Sequence, residues 1–345
     1  MNNPSDTFAV LYGCDDNYAP HAGISMTSLL ENNRDIDELT VYFAAQDLSQ
    51  QNLDRLCALA RQYGRRIVFL DTCRARQAMD QYPCRGWNGS LATWLRFFVL
   101  DQIPVDVDRL LWLDADTIVT GSLKPLCSLS LDGWAAACAC DAICYRERYR
   151  LGFSAQDAYY NAGVILFHLA YWRQQSLLDS LFRRLPERID SYRLNDQDML
   201  NDMLFGRIQK LPPAYNLQGT HLAYDTQAYF SVYPWQPSAY YTPAQIDAAR
   251  AAPVVVHFFR FLGDYPWQAG DNLHPARTLY QSWKEKSLWA DVPAAPARRE
   301  AVFAVEKLLY RLLPQTAFLR LFSAVTNRGL PAAPAADQIR QEDLP

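Results

Sequence analysis

Asp114 and Asp116 stand one residue apart at the end of an apolar run in Arg109-Leu-Leu-Trp-Leu-Asp-Ala-Asp-Thr-Ile-Val119. The run Leu110 to Leu113 reads as a buried strand, and a parallel strand delivers its last residues to the crevice where α/β sheets bind ligands. Two hard anionic oxygens there suit a divalent cation, and that cation suits a phosphate. Asp is also a common turn residue, so the pair alone reads first as a strand-ending turn. Three more polar clusters sit just past expected strands or at a helix start: Asp15-Asp16-Asn17, Asp196-Gln197-Asp198 and His257. Strand ends converge on one crevice in an open α/β sheet, so the set says more than its members. Arg96 lies inside Trp94-Leu-Arg-Phe-Phe-Val99, where a cation is costly unless it is paired or snorkels to the surface.

The elements that must position these residues alternate. Thr7 to Gly13 reads as a first strand, followed by the polar turn Cys14 to Tyr18. A helix is expected over Ala22 to Glu31, a strand over Leu39 to Ala44, a helix over Ser49 to Tyr63 and a strand over Arg66 to Leu70. Ser90 to Gln102 reads as one helix with Ser90 as its N-cap. Further strands are expected at Trp134 to Cys140, Gly163 to His168 and Val254 to His257, and a helix at Asn195 to Phe205. Strands alternating with helices indicate a parallel sheet. Asp80 to Gly89 and Gln218 to Tyr241 read as loops that could set specificity. Beyond about Asn272, prolines at 293, 296, 314, 331 and 334 punctuate short helices.

Length and composition fit this picture. The chain has 345 residues, half of them hydrophobic and a fifth charged, which suits a globular protein with a sizeable core. Nine Trp, twenty Tyr and sixteen Phe offer faces for sugar rings as well as core filling. A net charge of −4 does not favour a nucleic-acid partner. Residues Met1 to Thr7 are polar, and no apolar run approaches the roughly 20 residues that span a bilayer. The eight cysteines contain no Cys-x-x-Cys pair, and Cys138, Cys140 and Cys144 lack a matching ligand cluster. They read as buried thiols, and the chain as cytoplasmic.

Six motifs occurring in order resemble glycosyltransferase family 8, of the bacterial lipopolysaccharide galactosyl- and glucosyltransferase type. They are Asp15-Asp16-Asn17-Tyr18; Thr93-Trp94-Leu95-Arg96; Leu113-Asp114-Ala115-Asp116; Tyr160-Asn161-Ala162-Gly163-Val164 with Trp172-Arg173; Asn195-Asp196-Gln197-Asp198-Met199-Leu200-Asn201; and Val256-His257-Phe258 with Pro266-Trp267. Together they cover roughly residues 7 to 270. The resemblance implies an α/β fold, a GT-A-type Rossmann-like nucleotide-sugar-binding domain with a mostly parallel central sheet. It places that catalytic domain at residues 1–271. Residues 272–345 would form a basic, helical C-terminal extension, with a disordered tail after about residue 331.

The implied activity is a metal-dependent, retaining transfer of glucose or galactose from a UDP-hexose to a saccharide or lipid-linked acceptor. Asp114, Asp116 and His257 would hold Mn²⁺ or Mg²⁺. Gly13, Asp15, Asn17, Arg96, Ala115, Asp141, Asn161, Ala162 and Gly263 would join them around the donor. Arg96 would reach the sugar diphosphate and a neighbouring carboxylate, with Asp141 the matching candidate. Asp196 would meet the sugar hydroxyls, and Gln197 would stand near the anomeric carbon opposite the leaving group. In the alternative reading, Asn195 to Asp198 simply cap a helix.

One departure from the family stands out. The usual ending is His-x-x-Gly-x-x-Lys-Pro-Trp, whereas His257 to Trp267 is two residues longer and carries Tyr265 where the Lys belongs. Arg260 is the cation expected to replace it on the diphosphate. The C-terminal region mixes Lys284, Lys286, Arg298, Arg299, Lys307, Arg311, Arg320 and Arg328 with apolar residues. This fits either a helix packed on the main domain or peripheral contact with the anionic inner face of the cytoplasmic membrane. Two rivals share parts of the pattern: a non-catalytic sugar-nucleotide-binding protein of the same fold, and a haloacid-dehalogenase-type phosphatase, whose Asp-x-Asp follows a similar strand.

Overall fold

The computed structural model describes residues 7–86, 90–297 and 300–332. Expectations for Met1 to Asp6, Trp87 to Gly89, Arg298, Arg299 and the tail from residue 333 lie outside the described residues. The strands, in chain order, are β1 (Thr7–Asp15), β2 (Glu38–Gln46), β3 (Arg66–Phe69), β4 (Arg109–Asp114), β5 (Thr117–Val119), β6 (Ala136–Cys140), β7 (Tyr160–His168), β8 (Ile208–Lys210), β9 (Leu217–Gln218) and β10 (Val255–His257). The chain divides into two compact units. The first comprises 1–138, 162–211 and 282–292; the second comprises 139–161, 212–281 and 293–345.

A seven-stranded sheet in the order β3-β2-β1-β4-β7-β6-β8 organises the first unit. Strands β1, β2, β3 and β4 run parallel, as do β6 and β8, while β7 lies antiparallel to β4. The mostly parallel sheet expected from the resemblance is therefore what forms. Its inner strands are apolar on both faces, as strands covered on both sides must be. Val10, Leu11, Tyr12, Leu110, Leu111, Trp112 and Leu113 are all buried. β1 has β2 on one side and β4 on the other, so the strand order reverses at β1 and β4. That reversal is where an open α/β sheet receives ligands at its carboxyl ends. The register pairs Gly13 with Asp114 there.

Two expectations change. Ser90 to Gln102 is not one helix but three short turns: a 3₁₀ turn at Ala92–Trp94, an α turn at Leu95–Phe98 and a 3₁₀ turn at Leu100–Gln102. Every residue from Trp94 to Leu100 is buried. Breaking the helix turns seven consecutive side chains inward, which a single one-faced helix cannot do. Gln218 to Tyr241 is not a plain loop either. It carries helices at Gly219–Ala223 and Thr226–Val232, because Tyr224, Tyr229, Tyr233, Trp235, Tyr240 and Tyr241 build an aromatic core in the second unit. Phe318 and Leu319 of the helix Gln315–Thr326 are buried in that core. The same helix and its neighbour Ala301–Leu312 expose Val302, Val305, Leu308, Leu312, Leu321 and Val325. Among the described residues no helix is long and apolar enough to cross a membrane. None of the eight cysteines is in a disulfide.

Trp289 shows how far sequence distance can mislead. It is fully buried in the first unit and its indole N–H donates to Asn52 Oδ1 at 2.8 Å. The ring lies against Gly23, within the helix Ala19–Asn32, where a Cβ would stand 2.2 Å from it. A mid-helix Gly→Ala change ordinarily stabilises by up to about 1 kcal/mol. We predict the opposite sign for Gly23→Ala, a loss of about 1–3 kcal/mol from overpacking against a buried ring, read as a lower Tm in thermal denaturation. A Tm equal to or above wild type would mean that Trp289 does not hold this position.

Candidate active site

The site in the first unit is built around one cation. Arg96 is buried, and its guanidinium uses each of its nitrogens. Nε donates to the Thr93 carbonyl at 2.8 Å and meets Asp196 Oδ2 at 3.1 Å. Nη1 donates to the Ala162 carbonyl, and Nη2 donates to Asp114 Oδ1 at 2.9 Å. The Trp112 ring covers the guanidinium at 4.6 Å. An unpaired buried guanidinium would be costly by several kcal/mol, so this saturation is what allows Arg96 to sit here. The broken 92–102 segment explains the geometry, because its second turn points Arg96 inward among residues that are otherwise apolar.

Asp114 closes β4. Its Oδ1 accepts the Trp112 indole N–H at 2.7 Å as well as the Arg96 bond. The Trp112 ring occupies the space that a side chain at Gly13 would need, since a Cβ there would lie 2.4 Å from it. Gly13 thus makes room for the ring that fixes Asp114, a role not evident from its place in the first strand. Asp15 and Asn17 follow β1; Asp15 Oδ1 accepts the Tyr18 N–H at 3.1 Å, and Asn17 is exposed. Asp16 ties this turn to the start of the helix Gln50–Gln62 through the Ser49 backbone N–H at 2.8 Å and Asn52 Nδ2 at 2.8 Å.

Asn195–Met203 starts with Asn195 in the left-handed region at φ 50°. Asp198 reaches back over the start of this helix, and its Oδ2 accepts the N–H groups of Arg193 at 2.7 Å and Leu194 at 2.9 Å. Asp196 turns to Arg96 instead, so the cap-only reading does not describe it. Gln197 Oε1 accepts the Ala162 N–H at 3.1 Å. Ala162 therefore links Gln197 through its N–H to Arg96 through its carbonyl. Burial pushes the Asp196 carboxyl up to about 6; the Arg96 charge opposes that rise and the Asp114 charge adds to it. Burial likewise brings the His21 imidazole down to about 3, against the pull of Asp116 and with the push of Lys284. His21, near the Asp-x-Asp, carried no recognisable motif.

In the second unit, Asp141 follows β6. The carboxylates that Arg96 meets are those of Asp114 and Asp196. Asp141 accepts from Ile143 N at 2.9 Å, Cys144 N at 2.8 Å and Asn161 Nδ2 at 3.1 Å. The turn around Asp141 is clamped by Gln218, which accepts from Ala142 N at 2.7 Å and donates to the Cys140 carbonyl at 2.8 Å. Gln218 pairs in register with His257 across β9 and β10. His257 Nδ1 lies 3.2 Å from Asn216 Oδ1, and Asn216 Nδ2 donates to Asn161 Oδ1 at 2.8 Å.

The loop after His257 contains a tight turn. Phe261 and Asp264 exchange backbone hydrogen bonds at 2.8 and 2.9 Å, with Leu262 at φ 50° and Gly263 at φ 83°. Two consecutive positive φ values are what a type I′ turn requires. Phe303 fills the space over Gly263, where a Cβ would meet it at 2.3 Å. Arg260 is exposed, with its guanidinium over the Phe303 ring at 5.4 Å. Tyr265 stacks on Trp267 with centroids 4.7 Å apart.

Of the residues expected to hold a metal ion, Asp114 and Asp116 stand in the first unit and His257 in the second. Ala115 between the two carboxylates is buried. Two carboxylates and an imidazole form a donor set suited to a hard-to-borderline divalent cation.

A family model for Glycosyl transferase family 8 matches residues 9–269. The chain belongs to this family. It is 31% identical over 218 residues to lipopolysaccharide 1,2-glucosyltransferase of Escherichia coli strain K12, a match covering 62% of this chain and 63% of that protein. It is 26% identical over 226 residues to lipopolysaccharide 1,3-galactosyltransferase of Salmonella typhimurium strain LT2, covering 63% of this chain and 66% of that one. In each case the match spans slightly less than two thirds of the relative. The fold is also that of the galactosyltransferase LgtC, with a TM-score of 0.65 at 20% identity, over 81% of this chain and 96% of that one. The GT-A expectation is thus met, and the phosphatase reading falls away.

Asp196 has an ordinary value of 3.8 and a folded value of about 6. A group raised on folding contributes stability that is fully present below the unfolded value and lost as pH rises through the folded one. Asp196→Asn cannot ionise and escapes that loss. The variant should therefore gain on wild type by up to about 3 kcal/mol as pH rises from about 4 to about 7, measured by denaturation at both pH values. A stability difference that is flat with pH would show that Asp196 titrates normally.

Proposed function

We propose that this chain transfers glucose or galactose from a UDP-sugar to a saccharide acceptor, with retention at the anomeric carbon, in the assembly of lipopolysaccharide or another surface glycan. One observation carries the reading: the Asp114-x-Asp116 pair at the end of β4, in a family 8 chain whose Asp114 also anchors the buried Arg96. The names of two relatives, a glucosyltransferase and a galactosyltransferase, support these two donors.

In this reading Asp114, Asp116 and His257 hold Mn²⁺ or Mg²⁺. Bound there, the cation would offset the charge that develops on the departing diphosphate. Gly13, Asp15 and Asn17 shape the uracil and ribose end. Asp196 and Arg96 orient the sugar hydroxyls and the diphosphate. The Gln197 amide, held by the Ala162 N–H, faces the anomeric carbon from the side opposite the leaving group. An amide oxygen is a poor nucleophile, but it can steady positive charge there. The acceptor hydroxyl then attacks on the leaving-group side. Its oxygen bonds to the anomeric carbon as the carbon–phosphate-oxygen bond breaks, and its proton passes to the departing phosphate oxygen.

The test is transfer or hydrolysis of UDP-glucose and UDP-galactose with Mn²⁺, read by NMR. An α-glycoside is expected from either α-linked donor, and a β product would overturn the assignment. Excess EDTA, or Asp116→Asn, should lower turnover by about a hundredfold or more, since a bound cation is worth several kcal/mol to a departing phosphate. Full turnover in EDTA would remove the metal role. UDP-sugar binding with no turnover of any donor would favour the binding-protein reading.

We further propose that the outer faces of Ala301–Leu312 and Gln315–Thr326 rest on an anionic membrane surface. Their exposed apolar stripe, with Arg320 and Arg328 also exposed, supports this. Val305→Asp with Leu312→Asp should cut co-flotation with phosphatidylglycerol vesicles about tenfold or more, because each buried CH₂ contributes about 0.8 kcal/mol. Equal flotation of variant and wild type would exclude these helices as the contact.

A further inference from the structure

The polar chain from Asp141 to His257 lies wholly within the second unit and has a direction. A carboxylate only accepts, so Asn161 must turn its amide nitrogen toward Asp141 Oδ2, at 3.1 Å. That orientation leaves Asn161 Oδ1 facing Asn216, whose Nδ2 donates to it at 2.8 Å. Asn216 Oδ1 then faces His257 Nδ1 at 3.2 Å. An amide oxygen cannot donate, so Nδ1 must carry the proton. Each amide has one orientation compatible with its neighbour, and the orientation is dictated by the ionised end. Asp141 is itself fixed by two backbone N–H groups, those of Ile143 and Cys144. Asp141, Asn161, Asn216 and His257 are all buried, which makes a mismatched amide expensive.

We infer that Asn216 is a positioning residue that fixes His257 as the Nδ1–H tautomer and so presents Nε2 as the ring's ligand nitrogen for a divalent cation. The inference rests on the metal reading of Asp114, Asp116 and His257 proposed above. A metal-binding His whose other nitrogen donates to a fixed acceptor is held in both tautomer and ring orientation, and removing such a partner typically weakens metal affinity 10- to 100-fold. The polar end of the relay is Asp141, two residues removed from His257 by hydrogen bonding. Asp141 thereby acts on the imidazole without touching it.

Long-range ¹H–¹⁵N NMR of His-labelled, metal-free protein at alkaline pH reads the tautomer directly, with the His257 signals assigned by their loss in His257→Gln. Wild type should show Nδ1–H. Asn216→Ala should shift His257 toward Nε2–H or a mixture and weaken Mn²⁺ binding 10- to 100-fold in calorimetry. Asn216→Asp gives up the donor to Asn161 and should lower Tm, but it keeps an acceptor toward Nδ1, so it should retain the wild-type tautomer and bind Mn²⁺ within a few-fold of wild type or more tightly. Asn216→Asp also serves as the folding control, since a purely structural role predicts that both variants lose affinity in step with their loss of Tm. An Nε2–H wild type, or equal Mn²⁺ affinity in wild type and Asn216→Ala, would overturn the inference. Wild type that is Nδ1–H but takes up no Mn²⁺ would overturn it through its parent reading, and the NMR result would show the relay itself to be intact.

Discussion

A buried guanidinium fixes the arrangement of the first unit. Arg96 can leave water only if its charge and its N–H groups are met, and the residues that meet it come from separate parts of the chain. Asp114 comes from the end of β4, Asp196 from the start of a helix, Ala162 from β7, and Trp112 covers the face. None of these can shift far without leaving a buried charge uncompensated. The same demand explains why the segment around Arg96 is broken into short turns, and why Gly13 has no side chain opposite Trp112. With Asp114 and Asp196 on one side of the balance and Arg96 on the other, the nearby Asp116 leaves the cluster net negative when all are ionised. A divalent cation suits that field.

The sheet was largely legible from the chain because its strands are unusually plain. Runs such as Leu110 to Leu113 and Val10 to Tyr12 are apolar without alternation, and such runs belong to strands covered on both faces. The Asp-x-Asp was legible for the same reason, since the run stops abruptly at a charge. What pattern reading could not supply was any feature that depends on the inside of a turn. Ser90 to Gln102 has helical composition throughout, but an inward Arg and inward aromatics on every side demand a broken backbone. The hold of Asp198 on the Arg193 and Leu194 N–H groups, with Asp196 turned to Arg96, was likewise hidden in a cluster of three adjacent polar residues.

The second unit shows a different limit. Asn216 and Gln218 carry no motif, because an amide at the end of a 3₁₀ turn or in a short strand looks like any other polar residue. Their meaning comes from partners far away in sequence: Asn161 and His257 for one, Cys140 and Ala142 for the other. The loop after His257 was legible as a departure from the family but not as a structure. Leu262 and Gly263 form a tight turn that Phe303 caps, and Arg260 lies over the Phe303 ring. The loop is held by its own backbone geometry and by contacts from the C-terminal helix Ala301–Leu312, where Lys307 also pairs with Asp264 at 2.8 Å.

The two units apply one principle at different strengths. In the first, full charges are brought out of water and must be matched by other charges, so the geometry is rigid and a carboxyl such as Asp196 is held near the edge of ionisation. In the second, the relay holds one carboxylate, Asp141, and the amides pass on its polarity as a sequence of donor and acceptor ends. A neutral relay has no charge to desolvate beyond its anchor, which makes it cheaper to bury than a second ion pair. It also transmits direction without titrating. A site that must keep one imidazole lone pair available across a range of pH is better served by such a relay than by a carboxylate on Nδ1, because a carboxylate would also favour protonation of the ring.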